Sequence, residues 1–228
     1  MTAAALHRRR FFATLNSIMA APDPSLYIGI DTLANHRPFS YVVLADDCRP
    51  VAMGQGRQGE VMAYLAGQHA ARVGLNGPLR PRAGVMQREE ARQKLSPPPA
   101  PGEWTDARQC EYELFMRGLR SPRAAANPAD CPPWMRRGFG IVAFLDRIGF
   151  EPFPQESALQ YVEVQAEAGY ASLMDRNPYD AATLEGRMQR QMLLRQQGLP
   201  VPDPMDFLEE ITPRSEEHTS ELQSRLHL

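Results

Sequence analysis

Between Leu26 and Thr32 the chain reads LYIGIDT, and Pro38–Ala45 follows as PFSYVVLA. Both are short apolar runs rich in β-branched and aromatic residues, which suit a half-buried pleated surface better than a helix. The first run carries one acid near its end, Asp31. Aspartate is depleted in strands because its carboxylate competes for backbone donors, so an acid in this place needs a reason. One reason is a bond to turn amides at the strand end. The other is a carboxylate held on a rigid central strand as a ligand for a divalent metal. Gly29, without a side chain, lets another backbone or a ligand approach closely.

The stretches that follow order themselves around this run. Tyr41, Val43 and Ala45 alternate with Val42 and Leu44 in a second strand, and Pro50–Gly56 makes a third. Glu60–Ala71 reads as a helix with Val61, Leu65 and Tyr64 on its buried side, and Arg72–Pro78 as a short strand ending in a turn. Three meandering strands, a helix and a fourth strand form the opening order of the ribonuclease H-like fold. In that order the first and fourth strands lie side by side, which brings their ends together.

Leu79–Gly102 holds Arg80, Arg82, Arg88, Arg92 and Lys94 and ends in a proline cluster at Pro97–Pro99, so it reads as a mobile surface loop. Its basic residues either touch phosphates or are simply solvated. Thr105–Gly118 reads as a helix capped by Thr105 or Asp106, with Gly118 placed for a left-handed end. Glu111 and Glu113 fall on different faces of it, so at most one points into a shared site. Cys131–Phe150 holds the next helix, with Pro133 in its first turn and Ile141, Leu145 and Ile148 at helical spacing. Leu159–Gln165 is a fifth strand that contains a second acid, Glu163. Thr183–Gly198 is a basic amphipathic helix on which Arg187 and Arg190 are i, i+3 neighbours, placed to grip a phosphate or to pair with Glu185 or solvent. Pro202–Thr212 reads as a last short helix.

Composition narrows the function classes. The formal charge of −2 gives no overall field to draw the chain to nucleic acid or membrane. All of the 25 basic residues except Lys94 are arginine, the side chain suited to bidentate phosphate contacts. Cys48, Cys110 and Cys131 are far apart, which argues against a zinc site or a disulfide framework and suits a reducing, cytoplasmic compartment. No apolar run approaches the ~18 residues needed to span a membrane. Residues 1–25 place Arg8–Arg10 before a short apolar stretch interrupted by Asn16 and Ser17, and read as a disordered extension rather than an export signal. Gly54, Gly56 and Gly59 lack the Lys and Ser/Thr of a phosphate loop, which counts against a nucleotide-handling enzyme.

Several phrases then coincide in order: GID at Gly29–Asp31, NGPLRP at Asn76–Pro81, ARQCEYEL at Ala107–Leu114, PPWMRRGF at Pro132–Phe139, YVEVQ at Tyr161–Gln165, LEGRMQRQ at Leu184–Gln191 and PDPMDFLEEITP at Pro202–Pro213. Together they resemble the DUF429 family of predicted ribonuclease H-like nucleases, over residues 26–213. The resemblance implies an α/β fold with a mixed five-stranded ribonuclease H-like sheet flanked by helices. It also implies a Mg²⁺ or Mn²⁺ site built from acids. Asp31 matches the first-strand Asp, Glu163 matches an acid of the fifth strand, and Asn76 stands where many relatives carry Asp. The final helix of the family, with a further acid, is missing, and residues 214–228 resemble translated adapter sequence rather than a natural end.

Two-metal hydrolysis needs ions ~3.5–4 Å apart, held by several anionic oxygens. Asp31 and Glu163 supply two such groups, and Asn76 supplies only a neutral carbonyl. The resemblance therefore implies a metal-dependent nuclease acting on nucleic acid, impaired in this chain. The alternative is a non-catalytic module of the same fold that binds nucleic acid or a protein partner through Arg187, Arg190 and the basic loop.

Overall fold

The computed structural model describes residues 26–32 and 38–201. Each β-forming run of the N-terminal half pairs with the next: β1 (Leu26–Asp31), β2 (Phe39–Ala45) and β3 (Pro50–Gly56) form an antiparallel meander. Helix α1 (Gln58–Ala66) then returns the chain so that β4 (Ala71–Asn76) lies parallel to β1 on its other side. The helix is shorter than its apolar pattern suggests, because Ala71 already belongs to the strand.

Two further strands, β5 (Glu151–Pro152) and β6 (Leu159–Val164), complete a mixed sheet of order β3-β2-β1-β4-β6-β5. Strand β6 runs parallel to both β4 and β5. The architecture is α/β, and its strand order and directions accord with the ribonuclease H-like arrangement. It has six strands rather than five, because the two-residue β5 adds an outer edge that its sequence does not announce.

One face of the sheet is dry. Ile28 and Ile30, Phe39 and Val43, Val73 and Leu75, and Tyr161 are all at most 2% exposed. Against them pack Val61 and Leu65 of α1 and Ile141, Val142 and Leu145 of helix α4 (Pro133–Arg147). Strand side chains alternate between faces, so Tyr27, Gly29, Asp31, Arg72, Gly74, Asn76, Val162 and Val164 belong to the other face. A Cβ added at Gly74 would stand 3.3 Å from Val164 Cγ1, and one at Gly29 3.3 Å from Val42 Cγ1. Valines therefore lie over both glycines.

Residues 79–102 are not a solvated loop. A short 3₁₀ turn (Val85–Gln87) and helix α2 (Glu89–Gln93) bury Met86 and Leu95 beside Tyr112, with Trp104 packed against them. Arg92 is 5% exposed and donates to the carbonyls of Met86 and Gln87 and to Glu89. Helix α3 (Gln109–Met116) begins later than the sequence suggests. Its first turn is closed not by Thr105 or Asp106 but by Glu111, whose Oε2 accepts the Arg108 N–H at 2.9 Å. Gly118 does adopt the left-handed conformation, with φ 73°.

The chain divides into two compact units, one up to Ala168 and one from Gly169 onward. Helix α5 (Ala166–Met174) carries the chain from the first into the second, which contains helix α6 (Leu184–Gln196). Thr183 caps α6, its hydroxyl accepting the Gly186 N–H. The expected N-terminal extension, the helix at 202–212 and the segment 214–228 lie outside the described residues. Among the described residues no helix is long and apolar enough to cross a membrane.

Candidate functional site at the carboxyl edge of the sheet

Strands β1, β4 and β6 run parallel, and after β1 and β4 the chain departs in opposite directions, to β2 on one side and toward β6 on the other. The crevice outside such a switch point is where open α/β sheets bind ligands. The register sets Asp31 beside Asn76, and Asn76 beside Val164. The Asn76 amide donates to Asp31 Oδ1 at 3.2 Å, and Thr32 Oγ1 donates to the Asn76 carbonyl at 2.8 Å. Just beyond, Gly77 has φ 122°, and a Cβ there would stand 3.0 Å from the Trp134 ring, so the exit from β4 requires glycine.

Glu163 stands one position earlier in its strand, beside Leu75 and Ile30. One step along a pleated strand turns the side chain to the other face. The structure therefore brings Asp31 and Asn76 together and sets Glu163 on the opposite face, that of the core. There its carboxylate is fully engaged. Arg108 donates from Nη1 to Oε2 at 2.7 Å and from Nη2 to Oε1 at 2.8 Å, and the Leu79 N–H adds a bond of 3.2 Å to Oε2.

Arg108 also holds a second acid. Its Nε donates to Glu111 Oε1 at 2.7 Å, and the same oxygen accepts the Ala124 N–H at 3.1 Å. The Glu111 side chain is 1% exposed and that of Arg108 16%. Burial alone disfavours the guanidinium's charge, but the bonds to Glu163 and Glu111 outweigh it and hold the group more firmly protonated than usual. The two acids of this helix face different partners: Glu111 turns to Arg108, while Glu113 accepts Gln109 Nε2 at 2.8 Å. Arg108 was missed. Its only local signal is the i, i+3 spacing to Glu111.

A cleft of about 380 Å³ opens at the ends of β4 and β6. Asn76, Gly77, Glu163 and Gln165 border it, with Arg120 and Ser121 on the facing loop. Gln165 Nε2 donates to the Arg120 carbonyl at 2.9 Å, which ties that loop to the strand end.

Arg187 and Arg190, expected to grip phosphate, lie in the second unit. Arg187 Nε donates to the Thr183 carbonyl, while Arg190 donates to the carbonyls of Tyr179 and Gly186, with its guanidinium over the Tyr170 ring. Both are thus bonded within their own unit. In the basic stretch, Arg80 is likewise committed, to Asp146 and Tyr161.

The residues present do not fit a pair of divalent ions. Asp31 and Glu163 face opposite sides of the sheet, both Glu163 oxygens accept bonds from a guanidinium, and Asn76 turns a donor toward Asp31. Among the described residues no group of three or more His, Cys, Asp or Glu side chains converges as metal ligands do. Fold and site define a mixed α/β protein of ribonuclease H-like topology whose carboxyl edge joins two acids to one arginine. No family model, no curated protein and no solved structure matches the chain.

Proposed function

We propose that this protein is a non-catalytic ribonuclease H-like module that binds the phosphate backbone of nucleic acid at the carboxyl edge of its sheet. The observation that carries this reading is the bidentate hold of Arg108 on Glu163. A bare carboxylate at the rim of a cleft repels a polyanion, and a nuclease overcomes that with metal ions. Here Arg108 offsets the charge of Glu163 at the cleft rim, and the remaining negative charge of the cluster sits on Glu111, whose side chain is 1% exposed. The cleft then offers phosphate the exposed Arg120, the Ser121 hydroxyl and the second N–H of the Asn76 amide, whose first is given to Asp31, with Glu167 as the opposing charge. The net charge of −2 gives no long-range steering, so binding rests on these local groups. The three free thiols accord with a cytoplasmic setting.

Fluorescence anisotropy with labelled single-stranded DNA, RNA and hybrid duplexes, in a chelator and across a salt series, is the test. Binding is expected without metal. Arg120→Ala should weaken it for every sequence alike and lower the salt slope by about 1. No binding in any arm overturns the reading.

One observation favours a second reading, that of a Mg²⁺- or Mn²⁺-dependent nuclease: Asp31 ends the central strand at the switch point, where a metal ligand is useful. Cleavage that appears with Mn²⁺ and vanishes in Asp31→Asn would establish this second reading in place of the first.

A further inference from the structure

We propose that Arg108 is a built-in cation that occupies the position between Glu163 and Glu111 which a divalent metal would otherwise take. The inference deepens the metal-independent reading above and rests on it. Two carboxylates from distant parts of the chain converge on one guanidinium, Glu163 on its Nη1/Nη2 edge and Glu111 on Nε. The Glu111 side chain is 1% exposed and that of Glu163 31%, so water cannot stand in for the charge at Glu111. Removing the guanidinium leaves a buried anion beside a second one, an arrangement relieved by protonation of a carboxyl or by entry of another cation.

The carboxylates are held in place without the guanidinium. Glu111 accepts the backbone N–H groups of Arg108 and Ala124, and Glu163 accepts that of Leu79. These bonds orient the oxygens as outer-shell donors orient metal ligands. Oxygen ligands from two carboxylates suit a hard ion such as Mn²⁺ or Mg²⁺. A tethered guanidinium differs in one functional respect: no chelator removes it. Both carboxylates thus keep a cationic partner whatever the metal supply, and the three groups together carry one net negative charge.

The test uses the full chain without nucleic acid, so its outcome is independent of whether nucleic acid binds. Mn²⁺ binding is followed by electron paramagnetic resonance and calorimetry in wild type, Glu163→Gln, Arg108→Met and Arg108→Met/Glu163→Gln, together with melting in chelator and in Mn²⁺. The wild-type isotherm should be unchanged by Glu163→Gln. Arg108→Met should melt lower in chelator, recover part of the loss in Mn²⁺, and bind Mn²⁺ at least about tenfold tighter than wild type, as expected when a fixed positive charge leaves a buried acid pair. The double variant should lose that gain. A role in packing alone predicts no recovery by Mn²⁺. If Arg108→Met does not fold in chelator, the same comparison is made with Arg108→Gln, which removes the charge but keeps a polar side chain able to donate to the carboxylates. Glu163-dependent Mn²⁺ binding in wild type, or no gain in either Arg108 variant, overturns the proposal.

Discussion

At position 76 a single atom type separates two kinds of site. The Asn76 amide donates to Asp31 across neighbouring parallel strands, and an aspartate there would place two carboxylates in the same contact. Both residues are half-buried, so the repulsion is partly screened. Asn76→Asp is expected to lose about 1 kcal/mol in chelator at neutral pH, the order of one charge pair near 4 Å in a wet setting. Mg²⁺ or Mn²⁺ should restore the loss, because the neutral amide has become an anionic oxygen ligand. Thermal unfolding and calorimetric titration of both forms check this. Equal stability and equal metal affinity would remove position 76 from any metal site.

At the scale of elements, β6 and α4 are joined by a polar clip at the margin of the dry face. Tyr161, 1% exposed, donates its hydroxyl to Asp146 Oδ1 at 2.6 Å, and Arg80 Nη2 donates to the same hydroxyl at 2.8 Å. Burial first, and the bond to Asp146 second, raise the Tyr161 pKa above its ordinary value, while Arg80 opposes the rise. The folded state therefore keeps the phenol proton to higher pH than the unfolded chain. The clip's contribution is fully present below about pH 10, the unfolded value, and falls as pH rises through the folded one. Urea unfolding at stepwise pH from 7 to 11 should show stability declining above about pH 10, with a shallower decline in Tyr161→Phe. Equal slopes in the two proteins would mean that other groups govern the alkaline limb.

Over the whole molecule, protection should follow the order of the sheet. Strands β1 and β4 are paired on both sides and lie under α1 and α4, whereas β3 and β5 are edges. Met53 on β3 is 80% exposed, and no charged side chain guards that edge between Arg49 and Arg57. Native-state hydrogen exchange should find the amides of Ile28, Ile30, Val73 and Leu75 opening only with global unfolding, and those of β3 opening earlier by local fraying. Equal protection across β3 and β4 would mean that the β3 edge is covered in solution.

What the sequence determined by itself is local. The first strands were legible because each is a short apolar run between turn residues, and the pairing of β1 with β4 followed from their order. Gly118 reads as a left-handed helix end and has φ 73°, and Gly198, which closes the reading of the basic helix, has φ 86°, since only glycine adopts that geometry without cost. Pro133 in the first turn of α4 follows from a ring that fixes φ and a donor the helix start does not need. Tertiary structure alone decided the site. Whether Glu163 shares a face with Asp31 depends on a one-residue register between neighbouring strands, which periodicity within each strand does not encode. The folding of residues 79–102 around Met86 and Arg92 rests on a pocket completed by Tyr112 and Trp104, later in the chain. Arg108 reads as one arginine among many. Its partner Glu163 lies 55 residues away, and only the packing of α3's first turn against the end of β6 makes the two a pair.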